Sequence, residues 1–260
     1  MHDILDDYAH SNGLAWVNPR AKLLLGLGSI LLCVSAPSPL VPALVALTMS
    51  LTIVGPARIP LRFYSRLLLI PLSFALLSSV VVIFLHGSGE ALLSFEVLGR
   101  QATVNSEGAN LGLLLMSRTF GGMCALFFVA LTTPMVEIFS ILKSLHLPQV
   151  LIELSMLIYR YIFVLLEEAM MIHTAQELRL GSSSLRGSLH SFSMLTSVLF
   201  LRAWERGEKL MVAMDSRCYD GRLDILEREA PRSPRVTVVV VIYLAALGAV
   251  ALLCKDLTLI

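Results

Sequence analysis

The sequence predicts an all-α integral membrane protein: about five transmembrane helices, with long amphipathic helices on the cytoplasmic side between the fourth and the fifth. Three observations predict it. The chain is 56% hydrophobic and only 15% charged, with a mean hydropathy of +0.79, which a soluble domain of 260 residues would not tolerate on its surface. Apolar runs recur at roughly the length of a span. Between residues 134 and 221 that pattern gives way to two helical stretches that are too long and too one-sidedly polar to be simple spans.

The N-terminus, Met1-His2-Asp3-Ile4-Leu5-Asp6-Asp7, lacks the basic region of a secretory signal peptide, so the first helix is expected to be retained. Apolar runs place spans at about 21 to 36, 40 to 55, 67 to 86, 111 to 131 and 236 to 254. The last three can cross a hydrocarbon core about 30 Å thick, which needs about 20 helical residues. The first two are short, and Pro37 and Pro39 break the chain between them into a tight turn. Lys22 can lengthen the first by snorkelling, Trp16 anchors at the interface and Pro19 starts the helix.

Basic residues set the sides. Arg20 and Lys22 precede the first span, Arg58, Arg62 and Arg66 separate the second from the third, and many more lie between the fourth and the fifth. All three regions are expected in the cytoplasm, which puts the N-terminus inside. The segment from Gly87 to Asn110, with Glu90, Glu96 and Glu107 against Arg100, is expected outside. The chain then divides into 1–131 (N-terminal segment and four spans), 132–221 (cytoplasmic platform) and 222–260 (linker and last span).

Within the platform, a short amphipathic piece from Pro134 to Leu145 leads to a helix expected from Pro148 to Gly181, about 50 Å long. Glu153, Arg160 and Glu167 recur every seven residues and draw a polar stripe along it, and Leu154 is expected on its packed face. The Ser/Gly-rich turn 182–188 joins it to a second helix from about Leu189 to Tyr219, with Leu199 on the packed face and a Glu205/Lys209 pair outside. A short turn between long helices makes an α-hairpin. The two helices are expected to finish in comparable places, bringing Arg179 and Arg217 to matching ends.

Ala175 to Gly181 (Ala-Gln-Glu-Leu-Arg-Leu-Gly) and Ala213 to Cys218 (Ala-Met-Asp-Ser-Arg-Cys) share one spacing, an alanine followed four positions later by an arginine. Lipid would penalise both arginines, so they point to a soluble partner. An arginine at a helix end also complements the negative end of the helix dipole, for about 0.3–1 kcal/mol. Two of them at the ends of paired helices exceed that role.

With these motifs, and with Asp-Asp-Tyr-Ala-His-Ser-Asn-Gly-Leu and Asn-Pro-Arg-Ala-Lys-Leu-Leu near the N-terminus, the chain resembles the transmembrane T component of energy-coupling-factor (ECF) transporters. It is most similar to the CbiQ branch, which serves cobalt and nickel uptake. That family carries Ala-Arg-Gly triplets at the ends of two coupling helices, each arginine docking into a groove of an ATP-binding subunit. Leu178-Arg179-Leu180 and Ser216-Arg217-Cys218 occupy those positions and keep only the arginine. The resemblance implies two CbiO-like ATPase subunits and a substrate-binding S component, CbiM-like and often with a small CbiN-like helper. ATP and magnesium would belong to the ATPases, and cobalt or nickel would be cargo. This chain would be non-catalytic, in keeping with its lack of a phosphate-cradling G-x-x-x-x-G-K-[ST] loop.

Other chemistry is weaker in the sequence. Cys33, Cys124, Cys218 and Cys254 have no metal-binding spacing, and no two of His2, His10, His86, His146, His173 and His190 stand four apart. Met1-His2 is a slight candidate for metal. The balanced charge offers nothing to nucleic acid. Two rival functions are a T component serving a vitamin S protein and an intramembrane lipid-modifying enzyme using Asp215, Arg217 and Asp220.

Overall fold

The computed structural model describes residues 8–9, 11–85, 91–97, 100–145, 147–181, 183–221 and 234–254. Its elements are α1 (Pro19–Ser35), α2 (Leu40–Val54), α3 (Leu61–Leu85), β1 (Ala91–Val97), β2 (Arg100–Asn105), α4 (Ser106–Thr132), α5 (Met135–Ser144), α6 (Gln149–Leu178), α7 (Leu185–Asp215) and α8 (Pro234–Leu253). The architecture is helical, as expected, with one two-stranded antiparallel ribbon, β1 with β2, in the segment expected outside. The Met1-His2 reading and most of the linker from 222 lie outside the described residues.

Two compact units divide the chain, 1–138 with 228–260, and 139–227. In the first, α4 is the central post. Asn18 caps α1 by accepting from the Arg20 amide, and Pro19 opens the helix where a missing N–H costs nothing. Ala36, extended before Pro37, ends it. The α1–α2 turn meets α4 part-way along: Arg118 donates from Nε and Nη2 to the Ala36 carbonyl at 3.2 and 2.6 Å. At the other end of α1, the buried Lys22 ammonium donates to the Thr132 carbonyl at 2.9 Å and lies 3.8 Å from Glu137. Fourteen residues of α4 separate these ties, about 21 Å of helix, so the short α1–α2 pair covers roughly half of α4. Lys22 is thus a structural tie as well as an interfacial charge.

Gly121 permits the closest approach, since a Cβ there would fall 2.6 Å from the Pro42 carbonyl oxygen and 2.9 Å from Cys33 Sγ. Around it Cys33, Val45, Met49, Ile53, Cys124, Phe128 and Leu131 form the core. Beyond the α1–α2 turn, α3 packs on α4, with Ser79 donating to the Gly112 carbonyl. The outward faces of α3 and α8 stay exposed and apolar, as lipid requires.

Among the described residues, four helices can cross a membrane by length and composition: α3, α4, α8 and also α6. The first three are expected spans. The fourth qualifies because its charges gather at its ends and along one stripe, leaving a long apolar stretch between them.

The second unit is built on α6 and α7. The second helix begins at Leu185, four residues before the expected start, because Ser184 accepts from the Gly187 amide as a cap and converts half of the expected turn into helix. Both helices also stop earlier than expected, at Leu178 and Asp215, for a reason visible at their ends. Leu154 is 51% exposed and so is not on a packed face of the isolated chain, whereas Leu199 is partly buried. Next to the stripe, Glu168 accepts from Arg202 at 2.6 Å and lies 3.6 Å from Arg206, tying α6 to α7.

Candidate functional site: two arginine-capped helix ends

At the end of α6 the Leu180 amide bonds the Glu177 carbonyl, and the Gly181 amide reaches back to Gln176. At the end of α7 the Cys218 amide bonds Asp215, and the Tyr219 amide reaches back to Met214. Both are Schellman turns, which satisfy carbonyls that a helix end would otherwise orphan. In each the arginine is the last residue before the chain turns left-handed: Leu180 has φ +58° and Cys218 has φ +58°. The turn ends each helix at the arginine and aims the chain away. That position normally falls to glycine, because a side chain there costs about 1–2 kcal/mol. The two triplets that look unlike each other in sequence therefore have one backbone form.

Arg179 and Arg217 are both exposed, as are Ala175 and Ala213 one turn before them. Helical side chains lean toward the N-terminus, so an alanine four residues earlier leaves the approach to each guanidinium open. Leu178 and Leu180 flank Arg179 at 82% and 76% exposure. Ser216 and Cys218 flank Arg217, also exposed, with the Ser216 hydroxyl donating back to the Val212 carbonyl. A guanidinium presents five donors in a planar fork, suited to a carboxylate or a row of carbonyls on a partner.

The structure does not bring the two arginines together. Gln176 donates to the Ser191 carbonyl, Glu168 pairs with Arg202, and Glu153 accepts from Tyr219. As residue numbers fall along α6 their partners rise along α7, so the helices run antiparallel. Arg179 lies at the hairpin tip and Arg217 beside the base of α6, separated by the length of a helix of 31 residues, about 45 Å. The expectation of comparable finishing places is therefore corrected. An α-hairpin with a short turn requires opposite ends.

Each turn is braced by the opposite helix, through Ser191, which the sequence did not mark, and through Glu153 of the polar stripe, whose partner the sequence did not show. At the tip, Ser191 Oγ donates to the Gly181 carbonyl at 3.0 Å while Gln176 Nε2 donates to the Ser191 carbonyl at 2.9 Å. A Cβ at Gly181 would fall 2.6 Å from that hydroxyl, so a side chain there would displace the brace. At the base, Glu153 is buried at 6% exposure and accepts from Gln149 Nε2 at 2.7 Å and from the Tyr219 hydroxyl at 3.0 Å. Partial burial raises the Tyr219 phenol above its ordinary pKa, and the hydrogen bond and negative charge of Glu153 add to the effect, so it remains a donor. The clue in the sequence was that Gly181 and Tyr219 each follow their arginine by two positions.

Among the described residues, no group of three or more His, Cys, Asp or Glu side chains is placed to hold a metal ion. His173 sits 3.4 Å from Glu177, four residues on, and His2, His10, His86 and His146 lie outside the described residues. Asp215 and Asp220 are both exposed on either side of Arg217.

Comparison with known proteins adds the family. The sequence model of CbiQ, a cobalt transport protein, matches residues 10–226. A fused cobalt transport protein, CbiMQ, of Methanocorpusculum labreanum is 41% identical over 99% of this chain, which spans 43% of that longer protein. The cobalt transport protein CbiQ of Rhodobacter capsulatus is 31% identical over 89% of this chain and 91% of its own length. The energy-coupling factor transporter transmembrane protein EcfT of Staphylococcus aureus is 28% identical over 80% of each chain.

Proposed function

The chain belongs to the CbiQ cobalt transport protein family, and from that premise we propose that it is the energy-coupling transmembrane subunit of an ATP-driven importer of cobalt or nickel ions. It is a multi-pass membrane protein and a transport component. In this reading Arg179 and Arg217 each dock one ATP-binding subunit, and the α6–α7 hairpin carries the movement of those subunits to a substrate-binding S component. ATP and magnesium are held by the ATPases, the metal ion is cargo, and this chain supplies no catalytic group. The N-terminus and the hairpin face the cytoplasm.

The observation that carries the reading is the pair of like ends: two exposed arginines on the same left-handed turn, about 45 Å apart and each braced by the other helix. A lone arginine cap satisfies its own helix. Two identical caps facing apart fit two copies of one soluble partner. A CbiM-like partner is supported by the name of the fused relative, and the coupling role by the name of the EcfT relative.

The test is co-purification. A tag on this chain should retrieve an ATPase pair and an S component from the native membrane, and the S component should carry the metal. Recovery of the chain alone, under conditions that preserve other transporters, would contradict the reading.

A further inference from the structure

We propose that Glu153 and Tyr219 are positioning residues for the second docking end, a clasp that holds Arg217 in the direction its partner requires; this rests on the docking role proposed above. The Arg217 turn has an inherent weakness, since Cys218 adopts a left-handed conformation without being glycine. Its closing hydrogen bond, from the Tyr219 amide to the Met214 carbonyl, belongs to the residue whose hydroxyl is gripped by Glu153. A side-chain bond sixty-six residues away in sequence thus pins the last residue of the turn. The carboxylate is buried and is itself held by Gln149, so it cannot swing away to water.

The first end has a different brace. Gly181 has no side chain to grip, and its carbonyl accepts from the neutral Ser191 hydroxyl instead. The two docking ends are therefore held independently, one by a buried charge and the other by a hydroxyl. Removing the Tyr219 hydroxyl should loosen Arg217 and leave Arg179 as it was.

Two readouts test this with Tyr219→Phe, and with Glu153→Gln as a second variant should the first accumulate poorly. In the purified full chain, trypsin cleavage after Arg217 should quicken about ten- to a hundredfold, the range expected for losing one hydrogen bond to a charged group in a locally opening segment, while cleavage after Arg179 is unchanged. Equal acceleration at both arginines, or at neither, would overturn the clasp without involving any partner. In the assembled complex, Tyr219→Phe should weaken ATPase retention in the parental and Arg179→Ala backgrounds and add no loss to Arg217→Ala. A further loss on top of Arg217→Ala would show a general structural role and overturn the proposal. Accelerated cleavage at Arg217 with full ATPase retention in Arg217→Ala itself would leave the clasp as a structural fact and refute the docking reading beneath it.

Discussion

Restoring glycine to the two left-handed positions should make the helix ends more stable. Leu180 and Cys218 both stand at φ +58°, where an L side chain costs about 1–2 kcal/mol relative to glycine. Glycine returns part of that through the larger entropy of the unfolded segment, about 0.5–1 kcal/mol. The net gain for Leu180→Gly or Cys218→Gly is about 0.5–1 kcal/mol, confined to the turn. Hydrogen exchange reads it directly: the amides of residues 181 and 219, which close the two turns, should exchange roughly two- to fivefold more slowly in the respective variants. Cys218→Val should do the reverse, because a β-branched residue is a steric outlier at positive φ. Unchanged exchange in both glycine variants, or slower exchange in the valine variant, would mean that the turns do not limit opening and that the shared backbone form is incidental.

Lys22→Ala should lower thermal stability in detergent by about 3 kcal/mol, because it removes a buried ammonium that lies beside Glu137 and shares the Thr132 carbonyl with Asn12; a loss under 1 kcal/mol would show that the tie is dispensable. Glu168→Gln should cost only about 1 kcal/mol, since Arg202 and Arg206 are part-exposed, and Glu208→Gln should stay within about 0.5 kcal/mol; the reverse order would misplace the α6–α7 tie. A cysteine at Ser106 should be labelled from outside intact cells by an impermeant thiol reagent and one at Ser183 should not, with the opposite pattern inverting the proposed orientation.

Span positions were legible because a 20-residue apolar run has few alternatives in a membrane, and α3, α4 and α8 follow such runs. The arginines were legible from their alanine spacing. What could not be read was three-dimensional pairing. Nothing local to Lys22 announces that it reaches Thr132, 110 residues on, and nothing in Glu153 announces Tyr219. The polar stripe through Glu153, Arg160 and Glu167 marked one face of the helix, but within it Glu153 is buried and the inter-helix charge is carried by Glu168, one position aside. Helix periodicity marks a face and cannot say which of its charges meets a partner. The antiparallel placement of the two arginines needed no structure: the short turn already implied it, and like sequence spacing obscured the opposite directions.

The most direct test of the central claim is metal-ion uptake by cells carrying Arg179→Ala, Arg217→Ala or both, with the amount of this chain in the membrane measured alongside. Each single variant should lower uptake and ATPase retention, and Arg179→Lys or Arg217→Lys should restore only part, because an ammonium cannot reproduce the planar fork. The double variant should accumulate normally in the membrane and transport almost nothing. Transport at the parental rate by a normally accumulating double variant would show that the arginines only cap their helices, and would contradict the coupling role.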